Sequence, residues 1–310
     1  MKYVLTTGCS FTNNLRLNPD RVNMHLDTNR LSWPYYLQQE LGDEYEVLNY
    51  GGATNDNVSM CRIQLYHIDR LIKEGVNPTD ISIITQWSDP VRYSFYIDTK
   101  LEQTKHYLGH TLVYHNDWVN KPGTFFLTGG FSPPDGEDSA MEYFGLDNFI
   151  KYFECDLTYD NQINQVLHWL ELWNLLETRC KELGIETYYM SMRNPYSIEC
   201  EKWGGSPNND SNIPTKTLWF NKFEVLKPYL DKLPIDSPNH WHYKNYCGLL
   251  EWSIDNKTDD IPVFQEFAWD GVNTYDEYLK IQPTGWGHPS PQMMEKFVKE
   301  ELIKIWKRKI

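Results

Sequence analysis

The sequence lacks any run of apolar residues close to the roughly 20 that a membrane-spanning helix needs. An apolar run near its start, Tyr3 to Leu5, is also far too short for the core of a signal peptide. The six cysteines form no Cys-x-x-Cys pair, which argues against a zinc ribbon and against a dense disulfide scaffold. These absences predict a soluble, reduced protein of the cytoplasm.

Positive charge is also scarce in this chain. Lysine and arginine number 29 against 43 aspartates and glutamates, so the net charge is −14. We therefore expect neither nucleic acid nor an anionic membrane as the main partner. The basic run at 304–309 fits a helix end, where cations face the negative end of the helix dipole. No feature of the sequence indicates an oligomeric state.

Aromatic residues, in contrast, are abundant: they make up 15% of the chain, which has 12 tryptophans. Half of these tryptophans fall in one C-terminal segment, namely Trp203, Trp219, Trp241, Trp252, Trp269 and Trp286. We interpret them as the core of an inserted segment. The alternative interpretation is a stacking wall for a sugar or another flat-faced ligand group.

Strand and helix patterns alternate along much of the chain. A first helix is expected to begin at Ser32 as N-cap and to end at Gly42, and a second carries apolar residues at helical spacing over 58–72. A third helix is expected from Ile163 to Gly184. Short buried strands are predicted at 3–7, 45–49, 81–85 and 185–192. This order predicts right-handed crossovers and a parallel sheet with helices on both faces.

Two segments do not follow this pattern. Residues 94–160 and about 196–285 are irregular and rich in turn signals, so we predict them as insertions in a single domain spanning 1–310. The last helix is expected after the second insertion, with Ser290 as its N-cap and Pro291 at its first position.

Four short stretches fall where strands of such a sheet should end: GCSF (8–11), NYGGATN (49–55), QWSDPVR (86–92) and GWGHPS (285–290). The carboxyl ends of parallel strands lie along one edge, here called the carboxyl rim, so distant residues can meet there. A serine, a glycine-rich turn, a polar loop and a histidine on one rim are the parts of a serine hydrolase.

The four stretches resemble the blocks of the SGNH, or GDSL-type, hydrolases. The first block is often Gly-Asp-Ser in that family, and here it reads Gly8-Cys9-Ser10, so the resemblance implies Ser10 as nucleophile. The second block implies the Gly52 N–H as an oxyanion donor, with Asn55 nearby. The third block usually has an asparagine donor, and Ser88 stands at that place.

The fourth block implies His288 as the general base. The family usually has Asp-x-x-His there, whereas this chain has Gly285 in place of the aspartate. A triad carboxylate orients the base and stabilises its imidazolium, so its replacement matters for the rate. Asp270 is one candidate for the third triad member. We expect instead that a backbone carbonyl or a water orients the imidazole.

The resemblance implies a flavodoxin-like, three-layer α/β/α fold with about five parallel strands and insertions that roof the rim. It also implies cleavage or transfer of an acyl group, in the family often on an acetylated carbohydrate, with no cofactor. Trp87, Arg92 and Trp286 are expected to contact the small-molecule or glycan ester, although Arg92 fits a structural ion pair as well. The alternative function is a catalytically altered scaffold that binds a carbohydrate or another small ligand.

The pair His240 and His242 would place two imidazoles on one side of an extended segment. A third ligand at a recognisable spacing is missing from the sequence, so we predict no metal site. The acidic run at 255–260 is interpreted as a solvated turn rather than as a calcium site.

Overall fold

The structure is a computed structural model. It describes residues 1–9, 12, 32–51, 56–88, 93–97, 112–113, 124–128, 159–192, 224–230, 232–244, 248–258, 260–261 and 289–307. The statements below concern these residues, which include a parallel sheet and helices that pack on it.

A four-stranded parallel sheet forms the centre of the molecule, with the strand order β2-β1-β3-β7. Its strands are β1 (Lys2–Thr7), β2 (Tyr45–Asn49), β3 (Ile81–Trp87) and β7 (Glu186–Ser191). In register, Leu5 lies between Leu48 and Ile83, and Ile83 lies beside Thr187. The predicted α/β class and parallel sheet are therefore confirmed.

Helices cover both faces of this sheet. They are α1 (Trp33–Leu41), α2 (Asn57–Lys73), α3 (Tyr159–Leu183), α4 (Lys227–Leu230), α5 (Leu249–Asp255), α6 (Pro291–Phe297) and α7 (Ile303–Lys307), with a π-helical segment, Val298–Leu302, between the last two. Trp169 and Trp173 of α3 contact Trp87 on one face, and Trp306 of α7 stacks on Tyr188 on the other.

After β1, the chain forms β2 on one side of β1 and then crosses over to form β3 on the other side of β1. The strand order therefore reverses between β1 and β3. In open α/β sheets, this switch point at the carboxyl rim is where ligands bind.

A fifth position in the sheet is filled by a single parallel bridge rather than by a full strand. His240 pairs with Tyr189 of β7. The Tyr189 N–H donates to the Asn239 carbonyl at 2.9 Å, and the Trp241 N–H donates to the Tyr189 carbonyl at 2.7 Å. Among the described residues, the expected sheet of about five strands is represented by four strands and this one-residue extension.

The helix ends follow the local sequence. Asp56 caps α2, since its carboxylate accepts the Ser59 N–H at 2.9 Å, and Ser290 caps α6 by accepting the Met293 N–H at 3.1 Å. Gly42 follows α1 with a φ of 69°, a backbone conformation that favours glycine. Ser32 occupies the predicted N-cap position of α1, but its hydroxyl donates to the Thr12 carbonyl and makes no cap bond.

An aromatic cluster fills the space between the sheet and α3. Trp87, Trp169, Trp173 and Tyr189 are all buried, and the ring centroids of Trp87 lie 4.9 Å from Trp173 and 5.5 Å from Tyr189. Aromatic rings bury large areas, so this cluster is a main source of stability.

The described parts of the second predicted insertion belong to the core. Leu226, Ile235 and Leu249 are buried, and the rings of Trp241 and Trp252 both contact Phe297 edge-on. For these two tryptophans the core interpretation is confirmed. The other late tryptophans, and the predicted roof over the rim, lie outside the described residues.

The first predicted insertion contains a separate three-stranded antiparallel sheet with the order β4-β6-β5. Its strands are β4 (Tyr93–Ile97), β5 (Leu112–Val113) and β6 (Thr124–Thr128). Among the described residues, no helix has the length and apolar character that a membrane crossing requires.

Candidate active site

Three of the four predicted blocks meet at the carboxyl rim. Thr12, just after the first block, contacts Asn49 at the end of β2 and Gln86 near the end of β3. Ser88, after β3, contacts Asn57 at the start of α2. The expected convergence is confirmed for the described parts of these blocks, at the switch point between β1 and β3.

The side chain of Thr12 joins the first block to β3 and α1. Its hydroxyl donates to Gln86 Oε1 at 2.7 Å and accepts the Trp33 indole N–H at 3.2 Å. Thr12, Gln86 and Trp33 are fully buried. Because buried polar groups are costly when unpaired, this arrangement strongly favours one position of the threonine.

The main chain of Thr12 is held as well. Its carbonyl accepts the Asn49 side-chain N–H at 2.7 Å and the Ser32 hydroxyl at 2.9 Å. Its N–H donates to the Cys9 carbonyl at 3.0 Å. Asn49 in turn accepts the Gly51 N–H at 2.9 Å, so Thr12, after the first block, and the start of the second block form one hydrogen-bonded unit.

Two glycines leave the space that Thr12 occupies. A Cβ added at Gly8 would lie 2.0 Å from the Thr12 hydroxyl oxygen, and one at Gly51 would lie 2.7 Å from the Thr12 Cβ. Both distances are far inside van der Waals contact. The glycines of the first two blocks therefore have a close-packing role at these positions.

Asn57 holds the loop that follows β3. Its Oδ1 accepts the Ser88 N–H at 2.8 Å and the Ser88 hydroxyl at 3.2 Å, and its Nδ2 donates to the Ser88 carbonyl at 3.2 Å. Ser88 is only 1% exposed. Its hydroxyl is thus buried and engaged with Asn57, which does not fit the predicted oxyanion donor and indicates a role in holding the loop.

Trp87 was predicted to contact the substrate, and the structure places it elsewhere. Its side chain has no exposed surface and lies in the aromatic cluster under α3. Since strand residues alternate between faces, Trp87 shares the α3 side of the sheet, whereas Gln86 faces α1. The indole is a core residue.

The polar side chains at the strand ends are not all paired. Thr85 donates to Gln64 Oε1 of α2 at 2.8 Å. Within the described part of the chain, Thr7 Oγ1, Gln86 Nε2 and Ser191 Oγ are buried and have no hydrogen-bond partner. Such groups are uncommon in protein interiors, and these three lie at the carboxyl ends of three strands.

The fourth block is described only from Pro289 onward. Trp306, near the end of the C-terminal helix, contacts Tyr45 at the amino end of β2. Earlier in that helix, Glu295 lies near Tyr36 of α1, and burial together with this carboxylate raises the pKa of Tyr36 to about 12. The helix therefore runs away from the carboxyl rim, and its N-cap Ser290 lies toward that rim.

Several predicted site residues lie outside the described residues. They are Ser10, Gly52, Asn55, Arg92, Asp270, Trp286 and His288. Their nearest described neighbours along the chain are Cys9, Thr12, Gly51, Asp56 and Pro289. The predictions for the nucleophile, the base and the third triad member stay predictions.

Two cysteines at the interface of α2 and α3 are poor candidates for nucleophiles. Burial raises the pKa of the Cys61 thiol and raises that of Cys180 to about 12. A thiol with such a pKa stays protonated near neutral pH, and the thiolate is the reactive form.

His240 and His242 lie beside β7, away from the switch point. Their ring centroids are 4.0 Å apart, and His242 Nε2 lies 2.7 Å from the Ile235 carbonyl. Burial and the neighbouring His242 lower the pKa of His240 well below 6.5, and burial also lowers that of His242. Among the described residues, no group of three or more potential ligands could hold a metal ion.

Sequence reasoning missed Thr12, Asn49, Asn57 and Gln86 as site residues. Asn49 and Gln86 lie inside the predicted blocks, and Thr12 and Asn57 lie within two positions of them, so proximity to a strand end was the available signal. The hydrogen bonds that link Thr12 to Asn49, Thr12 to Gln86 and Asn57 to Ser88 join residues 31 to 74 positions apart, and no local pattern encodes such pairings.

Comparison with known proteins gives no relative for this chain: no family model, curated protein or solved structure matches it.

Proposed function

We propose that this protein is a serine ester hydrolase of the SGNH type, with Ser10 as nucleophile and His288 as base. The observation that supports this most is the anchoring of both residues that flank Ser10 and Phe11. Cys9 is buried, Thr12 is hydrogen-bonded to the ends of β2 and β3, and both lie at the switch point of the sheet. A nucleophile requires such a fixed setting.

In the proposed reaction, Ser10 Oγ attacks the ester carbonyl carbon while His288 takes the hydroxyl proton. The N–H groups of Ser10 and Gly52 stabilise the oxyanion of the tetrahedral intermediate. The C–O bond to the alcohol then breaks, and His288 protonates the leaving oxygen. Water, or a second alcohol in a transfer reaction, releases the acyl group from Ser10 by the same steps.

A fluorophosphonate probe tests this proposal, because it phosphonylates an activated serine. We expect a single adduct on Ser10 by mass spectrometry and turnover of short-chain aryl esters. Ser10→Ala should abolish both, and His288→Ala should slow both by about a thousandfold or more. Ser82→Ala serves as control, because Ser82 lies near the amino end of β3, opposite the rim.

Absence of a Ser10 adduct and of ester turnover in the folded wild-type protein would contradict the proposal. Retained turnover in Ser10→Ala would exclude this nucleophile. An inactive protein that binds a carbohydrate equally well with and without Ser10→Ala would instead support the binding scaffold.

A further inference from the structure

We infer that Thr12 is the positioning residue of this site: it fixes the segment that contains Ser10 to β2, β3 and α1 at once. The side chain of Thr12 is bound to β3 and α1, its carbonyl to the end of β2 and the residue before α1, and its N–H to Cys9. Where it concerns the reactivity of Ser10, the inference rests on the proposed function.

The two flanks of Ser10 and Phe11 are anchored unequally. Cys9 is buried and its thiol lies 3.3 Å from the Met192 sulfur, a weak contact. Thr12 makes five hydrogen bonds to four other parts of the chain, all of them buried or partly buried. The hydrogen bonds of Thr12 therefore define the position of this segment relative to the rim.

Position matters more to a nucleophile than to a core residue. A displacement of about 1 Å can cost roughly a hundredfold in rate, because attack requires a narrow range of distance and direction. The same displacement in a surface segment changes stability little. Loss of the Thr12 hydroxyl should thus lower the reaction rate of Ser10 by a larger factor than the accompanying loss of folding stability would explain.

The chain offers a matched control in Thr85. Both threonines are fully buried, and each donates to a buried glutamine oxygen, Thr12 at 2.7 Å and Thr85 at 2.8 Å. Thr85 bonds to Gln64 of α2 on the other face of the sheet, away from the segment at 9–12. Thr12→Val and Thr85→Val therefore each remove a hydrogen bond donated to a glutamine, and Thr12→Val also removes the bond accepted from the Trp33 indole N–H. Of the two threonines, only Thr12 is next to the candidate nucleophile in the chain.

The experiment compares Thr12→Val, Thr85→Val and Thr12→Ser in the full chain. Fluorophosphonate labelling of Ser10 is resolved into the maximal rate and the probe affinity, and thermal unfolding gives the melting temperature. We expect the melting temperature to fall in both valine variants, and further in Thr12→Val, because that change also removes the acceptor of the Trp33 indole N–H. The maximal labelling rate should fall about tenfold or more in Thr12→Val alone, with Thr12→Ser within about threefold of wild type.

Hydrogen exchange of the peptide covering 8–12 separates this inference from the proposed function. We expect faster exchange there in Thr12→Val than in Thr85→Val, whether or not Ser10 reacts. If wild type is not labelled but this exchange difference is present, the proposed function fails and the positioning role stands.

Equal effects of the two valine variants on both labelling and exchange would overturn the inference. If Thr12→Val does not fold, Ser32→Ala replaces it, because that change removes one hydrogen bond to the Thr12 carbonyl. Ser32→Ala is then expected to slow Ser10 labelling and to speed hydrogen exchange of the peptide covering 8–12, both to a smaller degree. Wild-type labelling and wild-type exchange in Ser32→Ala would equally overturn the inference.

Discussion

The switch point between β1 and β3 and the outer part of the sheet around β7 are both buried, but they are filled differently. At the switch point, short polar side chains bond to one another, as in the 2.7 Å contact of Thr12 with Gln86. Beside β7, the rings of Trp87, Trp173 and Tyr189 pack with centroids about 5 Å apart. Burial of aromatic rings stabilises the fold and does not depend strongly on the orientation of the rings. Hydrogen bonds add little net free energy of folding, but they require a defined geometry.

The largest effect is expected from the aromatic region. Trp173→Ala removes a fully buried indole that contacts Trp87, Trp169 and Tyr189, so it leaves a large cavity. We expect the free energy of unfolding to fall by about 3–5 kcal/mol. Urea denaturation followed by circular dichroism measures this change.

Leu175→Ala is the control for that variant. Leu175 lies on the same helix and is 52% exposed, so its truncation should cost less than about 1 kcal/mol. If Trp173→Ala cost no more than Leu175→Ala, the aromatic cluster would not be the main stabilising region and the comparison would fail.

Much of the central sheet could be predicted from the sequence. The strand expected at 45–49 matches Tyr45–Asn49, and the one expected at 81–85 begins at Ile81 as in the structure. These strands are short apolar runs between turn or helix signals, so local pattern is sufficient. The fifth sheet position was beyond such reasoning, because His240 pairs with Tyr189 through one bridge without a strand pattern.

The candidate site was less predictable than the sheet. Strand ends correctly indicated which loops meet, because the carboxyl ends of parallel strands share an edge. The role of each side chain depends on which residues it contacts across the fold, and the sequence does not give these contacts. The oxyanion role predicted for Ser88 and the substrate contact predicted for Trp87 therefore do not fit the burial of these residues. Ser32 shows the same limit, since its hydroxyl bonds to Thr12 rather than to its own helix.

A second prediction sharpens the description of the switch point. Gly8→Ala places a Cβ 2.0 Å from the Thr12 hydroxyl oxygen and 2.8 Å from its Cβ. We expect a loss of about 1–3 kcal/mol, the usual range for overpacking a filled site. The free energy of unfolding is again the measured quantity.

A double-mutant cycle shows whether Thr12 is the cause of that loss. In a Thr12→Gly background both close contacts are gone, and the next neighbour of the added Cβ is the Gln86 Cβ at 3.1 Å. Gly8→Ala should then cost less than half of its effect in the wild-type background. Equal costs in the two backgrounds would mean that the first block is not packed against Thr12.

The smallest effect concerns pH and the histidines beside β7. Burial, and for His240 also the neighbouring His242, lowers both pKa values below the ordinary 6.5. Asp236 opposes this for His242, and the rings of Trp173 and Tyr189 face His240. Well above pH 6.5 the imidazoles are neutral in both the folded and the unfolded chain, so they make no contribution to the pH dependence of stability there. Below it, the unfolded chain takes up protons that the folded chain does not.

Stability should therefore decrease as the pH falls from about 6.5, by at most about 1.4 kcal/mol per pH unit for each imidazole. The slope of the free energy of unfolding against pH is obtained from urea denaturation between about pH 7 and about pH 5, because the ordinary histidine pKa of about 6.5 lies in this range. His240→Gln removes one of the two groups and should make the slope shallower, while its own packing loss lowers stability at every pH. A slope unchanged by His240→Gln would show that this imidazole titrates alike in the folded and unfolded chain, and that the region beside β7 tolerates a buried charge that we expect it to exclude.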